Sequence, residues 1–468
     1  MNKELKRIII VLGAFCILFI SLIGYLSYFQ IFKADDIKTH SYNKRLWINE
    51  ENVVRGSILD RNDKVLAYNE KKDDSNIRYY KYGNLYSHVI GYSMIEYGKS
   101  GLELEYNDTL LNISENAAIN EIKNLVLPTS VGNDLKLTIE HSMQEKSRAM
   151  LQGKKGAVVT MNPRTGEIYS MVSLPDFNTS NLKEEWNDIA EDPDSPFINR
   201  ATQELYAPGS TFKVISATAI LEGSDVDLDY DCTGNTVING RTINDYGQIA
   251  HGSIDLSKAI EQSCNTYFAE KAQIIGKDYL GKTADKFMFN KNINFDLSTK
   301  KSIFPYKKNL GKVELAYSAI GQDKIEVTPL NMAMVASSIA NDGIMVKPIL
   351  IKEILDKNGK TLETMETDTL STVTDSVNAN KVKDMMKGVV SSGTGKNASI
   401  NNVSVAGKTG TAEVDGKDSH SWFIGFAPAE DPKIAIAVVL EESGLTGGQG
   451  AAPIARDLMI HGLNNINF

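Results

Sequence analysis

Ile8–Phe32 is almost unbroken apolar sequence, relieved only by small residues, tyrosines and Gln30. About 25 residues rising about 1.5 Å each cross a bilayer core with room to tilt, so the pattern predicts one membrane-spanning helix. A cleaved signal peptide has a shorter apolar run and a small-x-small site, and neither is clear here. A lipoprotein would carry small residues before Cys16, where this chain has Phe15. No later run is long and apolar enough to span. Lys3, Lys6 and Arg7 precede the run, which by the positive-inside rule holds that end in the cytoplasm and the rest of the chain outside.

A polar stretch continues to about residue 50. "VVRGSILDRNDKVLAYN" (53–69) then reads as two short strands about a turn at Arg61–Asn62–Asp63. "HVIGYSMIEYGKSGLELEYNDTLL" mixes helix and loop, and a polar connector reaches about Asn133. "LKLTI" alternates like a strand, and "EHSMQEKSRAMLQ" has helical spacing. "GAVVTMNPRTGEIYSMVS" is a hairpin whose apolar runs flank the turn cluster Asn162–Gly166. A mainly helical stretch is expected from about Ser210 to Ala340. Strands return in "VSVAGKTGTAEV", "SWFIGFAPAE" and "KIAIAVVLEE", and "GGQGAAPIARDLMIHGL" closes with a helix. The order predicts an α+β fold. The first hairpin joins the last three strands in one antiparallel five-stranded sheet with flanking helices, and an all-helical lobe is inserted between them. The expected division is a cytoplasmic tip and anchor over 1–33, a small extended module over 34–150 and the large domain over 151–468.

Length changes little in this picture: 468 residues suit two or three domains with an ample core. The net charge of −9 argues against a general nucleic-acid surface. Three cysteines, Cys16 in the anchor and Cys232 and Cys264 outside it, do not make a disulfide scaffold. A Cys232–Cys264 bridge stays open as an alternative. The six histidines are scattered, and none forms a spaced Cys/His cluster, so neither metal nor cofactor is expected.

Candidate chemistry centres on "APGSTFK" (207–213). Ser-x-x-Lys also occurs at Ser41–Lys44, Ser180–Lys183 and Ser298–Lys301, so context must discriminate. Those three lie in polar surroundings. Ser210 instead starts "STFKVISATAILE", an apolar helix whose free N–H groups favour a developing anion. Lys213, three residues on, shares its face. Burial lowers a lysine's pKa and makes it a usable base. The bland alternative is a helix cap followed by a snorkelling lysine. "AIEQSCNTYFAEKAQ" reads as a helix with Ser263 and Asn265 inside it. Lys408–Thr409–Gly410 ends an alternating strand expected beside the Ser210 helix. With Thr411 it offers a charge, two hydroxyls and, at Gly410, a backbone that a substrate can approach.

Ser210-Thr-Phe-Lys213, Ser263-Cys-Asn265 and Lys408-Thr-Gly410, in this order, resemble the three signatures of penicillin-binding proteins and serine β-lactamases. "RGSILDRNDKVLA" and "GKSGLELEYNDTLL" are similar to the N-terminal part of class B, monofunctional penicillin-binding transpeptidases. The resemblance covers most of the chain from Arg55 onward. It implies that Ser210 attacks the penultimate D-Ala carbonyl of a peptidoglycan stem peptide while Lys213 takes its proton. Ser263 would relay a proton to the leaving amine, and Asn265 would hold the peptide amide. Lys408 would supply charge near Ser263 and the substrate carboxylate, Thr409 and Thr411 would bind that carboxylate, and Gly410 would count with them as substrate-binding. The N–H groups of Ser210 and Thr411 would form the oxyanion hole. β-Lactams would acylate the same serine, and a polytopic SEDS-type glycosyltransferase would be the membrane partner. Asp63 stands where the family turn usually has Gly, and the module over 34–150 is shorter than in many relatives.

Rival readings are a D,D-carboxypeptidase, a β-lactam sensor or non-catalytic scaffold, and a β-lactamase. The β-lactamase reading does not explain the module beginning at Arg55. A bifunctional enzyme needs a glycosyltransferase domain that the roughly 100 residues before the large domain cannot hold.

Overall fold

The computed structural model describes residues 3–32, 53–72, 75–113, 130–223, 226–308 and 310–468. The polar stretch after the anchor, and most of the connector expected before Asn133, lie outside them. Helix α1 spans Lys3–Phe32. Among the described residues it is the one helix long and apolar enough to cross a membrane, over Lys6–Gln30. From Ile8 to Leu26 its Ile, Leu and Phe side chains are exposed rather than packed on the protein.

The expected hairpin forms as β1 (Ile58–Leu59) and β2 (Val65–Lys72), followed by β3 (Ser75–Tyr80). A short helix α2 (Gly101–Glu105) brings Glu103 under these strands. There Arg55 and Arg78 pair with it, the latter at 2.7 Å, with all three side chains buried. Strand β4 (Asp134–Leu137) runs parallel to β1, and helix α3 (His141–Leu151) follows.

The second hairpin is β5 (Gly156–Met161) and β6 (Ile168–Leu174). Helix α4 (Lys213–Glu222) begins the central region. That region is not purely helical as expected. Residues 230–254 hold β7 (Tyr230–Cys232), β8 (Asn235–Ile238), β9 (Arg241–Asn244) and β10 (Gly252–Ile254) in two small antiparallel sheets. The cause is local. Asn239 and Gly240 both adopt positive φ, 49° and 79°, the conformation of a tight hairpin turn that Asn-Gly favours. Next come α5 (Leu256–Gln262), α6 (Asn265–Ile275) and α7 (Pro329–Ala340). Thr328 caps α7 through the N–H of Asn331, and Pro329 occupies the first turn, where it loses no helical hydrogen bond.

Strands β11 (Ile351–Leu355) and β12 (Thr361–Thr364) precede helix α8 (Ser376–Ser391). They return to the N-terminal module and complete a six-stranded sheet, β12-β11-β4-β1-β2-β3. The chain ends with β13 (Ala406–Val414), β14 (Lys417–Ala427), β15 (Ile434–Leu440) and α9 (Ala451–Asn465).

The expected five-stranded antiparallel sheet is present, in the order β6-β5-β15-β14-β13. β15 shows why its strands read as continuous apolar runs. Ile434, Ile436, Val438 and Leu440 pack with Leu458 and Met459 of α9, while Ala435, Ala437 and Val439 join Leu330 and Met334 of α7. Both faces of the strand are covered, so alternation vanishes. Each large aliphatic buried this way contributes about 1.5–3 kcal/mol relative to exposure.

Candidate active site

The segment before Ser210 is held against the sheet. Trp422, buried on β14, donates its indole N–H to the Ala207 carbonyl at 3.0 Å. Gly209 has φ +52°, and a Cβ there would lie 2.7 Å from the Thr411 carbonyl oxygen. Only glycine therefore lets this turn meet β13. Gly209–Phe212 is a single 3-10 turn leading into α4, so Ser210 stands one turn ahead of the α-helix rather than as its cap. Ser210 is half-buried, lines a cleft of about 930 Å³, and its hydroxyl makes no hydrogen bond among the described residues. Phe212 points the other way and stacks on Phe304 with centroids 5.6 Å apart.

Lys213 is fully buried as the first residue of α4. Its ammonium donates to the Ser263 carbonyl at 2.7 Å, to Asn265 Oδ1 at 2.6 Å and to Ser263 Oγ at 3.2 Å. It also lies 5.6 Å from the centre of the Phe268 ring. Burial penalises the charged form and lowers its pKa to about 8.

The expected helix around Ser263 is broken there. α5 ends at Gln262, Ser263 adopts the left-handed conformation (φ 59°, ψ 40°), and α6 starts anew at Asn265. The break is held by Asp245. Its carboxylate accepts the backbone N–H groups of Asn265 and of Thr266, and the Thr266 hydroxyl at 2.8 Å, satisfying the free donors of the new helix. Burial would raise the Asp245 pKa, but the hydrogen bonds from Cys232, Thr266 and Asn265 outweigh it and hold the carboxyl below its ordinary value. Left-handed backbone at a serine costs of order 1–3 kcal/mol, and it turns the Ser263 hydroxyl and the Asn265 amide towards one point.

From the opposite side, Lys408 on β13 donates to Ser263 Oγ at 2.9 Å and to the Thr409 carbonyl at 2.9 Å. It is fully buried, and burial followed by the charge of Lys213 pushes its pKa well below the ordinary lysine value. Thr409 and Thr411 line the cleft with Ser210, Ser263 and Asn265. The Thr409 and Thr394 hydroxyls are 2.6 Å apart, and the Thr411 hydroxyl accepts the Gly447 N–H at 3.2 Å. Gly410 differs from expectation: it is buried and absent from the cleft lining. A Cβ there would lie 2.8 Å from the Pro208 carbonyl oxygen and 3.0 Å from Thr211 Cγ2, so its bareness seats the strand against the nucleophile turn. Among the eight residues singled out from the sequence, seven thus converge on the cleft or its floor.

Sequence reasoning missed other parts of the cleft lining: Tyr246, Gln248 and Ile249 from the loop after β9, and Thr394 from the segment after α8, beside β13. The Asn-Gly hairpin was the available signal for the first of these. It also missed a cluster. Cys232, Asp245, His251 and Cys264, far apart in sequence and outside any spaced motif, meet with one ligand atom each within 4.8 Å of one another. The two thiols are free, at 3.6 Å, rather than bridged.

A serine on a helix-start turn, with two buried lysines of depressed pKa converging on a second serine, is the equipment of serine acyl transfer without a histidine. Residues 156–460 match the family described as penicillin binding protein transpeptidase domain, and residues 55–132 match penicillin binding protein A dimerisation domain. The peptidoglycan D,D-transpeptidase PbpA of Mycolicibacterium smegmatis is 31% identical over 97% of this chain and 98% of its own length. A D,D-transpeptidase domain of a peptidoglycan glycosyltransferase from Eggerthella lenta superposes with TM-score 0.81 at 35% identity, covering 88% of this chain and 99% of that one. Penicillin-binding protein A of M. tuberculosis, solved as its penicillin G acyl-enzyme, gives TM-score 0.81 at 29% identity over 88% and 99% of the two chains. This chain belongs to the penicillin-binding protein transpeptidase family.

Proposed function

We propose that the protein is a membrane-anchored peptidoglycan D,D-transpeptidase. The observation that carries the reading is the convergence of Lys213 and Lys408 on Ser263 beneath a cleft that also exposes Ser210. Neutral Lys213 takes the Ser210 proton as Oγ attacks the carbonyl carbon of the penultimate D-Ala. The N–H groups of Ser210 and Thr411 receive the oxyanion. The C–N bond then breaks as Ser263 passes its proton to the leaving D-Ala amine and takes the proton held by Lys213, which returns Lys213 to its neutral form and leaves an ester on Ser210. The amine of a neighbouring stem attacks that ester, Lys213 takes the amine's proton, and the same proton passes to the departing Ser210 Oγ. Asn265 orients the stem amide, and Thr409, Thr411 and Lys408 receive its terminal carboxylate. Lys3, Lys6 and Arg7, in the first turns of α1, support an N-terminus in the cytoplasm and a catalytic domain outside. The anchor and the strand module that follows it in the chain suit a multi-span SEDS-type glycosyltransferase as partner. Replacing α1 by an unrelated membrane helix should abolish co-purification with that partner, and unchanged co-purification removes the partner from this reading.

The deciding experiment is intact mass spectrometry of the full-length chain in detergent with benzylpenicillin, for the parent and for Ser210→Ala. The expected result is one adduct that persists for hours and is absent from the variant. A transient adduct with penicillin consumed turns the reading to a β-lactamase. No adduct on folded protein turns it to a scaffold. Release of D-Ala from a stem pentapeptide without cross-linked product turns it to a carboxypeptidase.

A further inference from the structure

The turn that carries Ser263 and Asn265 is built over a second group of reactive side chains that acyl transfer does not use. Cys232 closes β7, Asp245 follows β9, His251 precedes β10, and Cys264 sits between the two cleft residues. Both cysteines and the aspartate are buried, at 2%, 0% and 2% exposure, and His251 is nearly so. Cys232 Sγ lies 3.0 Å from Asp245 Oδ2, 3.2 Å from His251 Nδ1 and 3.6 Å from Cys264 Sγ. Cys264 Sγ lies 3.5 Å from Asp245 Oδ2, and His251 Nδ1 lies 3.8 Å from the same oxygen. A tetrahedral zinc ion with metal–sulfur bonds of about 2.3 Å and metal–nitrogen or –oxygen bonds of about 2.0 Å sets its ligands about 3.3–3.8 Å apart. Five of the six edges, at 3.0–3.8 Å, lie in or near that range, and the sixth, between His251 and Cys264, is within 4.8 Å.

From this geometry we propose that Cys232, Asp245, His251 and Cys264 form a four-coordinate site for a structural zinc ion. Two thiolates, one imidazole and one carboxylate are a donor set suited to zinc, and four protein ligands leave no open position for catalysis. Binding exchanges the two S–H protons for the ion and releases them to solvent. Asp245 keeps Oδ1 for the N–H groups of Asn265 and Thr266 while Oδ2 faces the thiols. The ion therefore ties the break in the helix to the β7–β10 sheet and fixes where Ser263 and Asn265 stand.

The full-length chain, purified in detergent without chelator, should contain one zinc per chain by elemental mass spectrometry. Cys232→Ser and His251→Ala should lose it while still forming the Ser210 adduct with benzylpenicillin. Stripped chain reloaded with Co²⁺ should show thiolate-to-cobalt charge-transfer absorption with the visible bands of four-coordinate cobalt. Should either variant fail to fold, the cobalt spectrum of the parent chain decides alone, and a spectrum without thiolate bands overturns the site. Zinc content unchanged in folded variants overturns it as well. So does a parent chain free of zinc whose mass is two units low and whose Cys232 and Cys264 resist alkylation after unfolding, because the pair is then a disulfide.

Discussion

A lysine accepts a proton only from its neutral form, and burial sets that form's onset in Lys213 near a pKa of about 8. Acylation by benzylpenicillin should therefore climb from about pH 6 to about pH 9 with its midpoint near the lysine pKa. A flat profile in stopped-flow measurements contradicts the base assignment. Lys213→Ala should slow acylation by about 10²–10⁴, and Lys213→Arg, permanently charged, should be equally slow at every pH. Stability carries the same sign. Between about 8 and 10.5 the unfolded chain holds more protons at this residue than the folded one, so stability rises with pH through that window. Ser210 and Lys213 were legible in the sequence because a charged residue within an apolar helix start demands a reason. Gly410 was legible as important but not in its role. Its neighbours Pro208 and Thr211 come from another element, and no local pattern announces them.

Between elements, the Ser210 turn and β13 meet through two glycines, Gly209 and Gly410. Gly410→Ala pushes a methyl group to 2.8 Å from a backbone carbonyl, which rotamer change cannot relieve. The expected cost is about 1–3 kcal/mol of stability with a slower acylation rate, read by thermal unfolding and by adduct formation on one sample. An unaltered acylation rate shows that the turn tolerates displacement. The five-stranded sheet could be read in advance because strands buried on both faces are written as apolar runs. The break at Ser263 could not. Its sequence continues helical spacing on either side, and what stops the helix is a carboxylate eighteen positions earlier in the chain, at Asp245. The four-residue cluster was hidden for the same reason: positions 232, 245, 251 and 264 follow no helical or strand period, and two hairpins bring them together.

Across the whole molecule, the N-terminal module and the large domain share the six-stranded sheet, in which Ile351 pairs with Leu137 and Leu355 with Asp134. Calorimetry of the chain should therefore show one cooperative transition for both rather than two, and two resolved transitions would contradict that coupling. Glu103→Ala removes the carboxylate shared by Arg55 and Arg78 and should destabilise that joint unit by about 3–5 kcal/mol, measured as a fall in Tm. Burial would raise the Glu103 pKa, but the two arginines outweigh it and hold it below the ordinary value. Its contribution is full above about pH 4.3 and lost as the pH falls through the lower folded value.

The pairing of Ile351 with Leu137 also sets an order of events during synthesis. β4 leaves the ribosome well before its neighbour exists, because the whole stretch from 138 to 350 must be made first. At about 5–20 residues per second that interval lasts about 10–40 s. Throughout it, the nascent module presents an open strand edge, a target for a chaperone or for a stray partner strand.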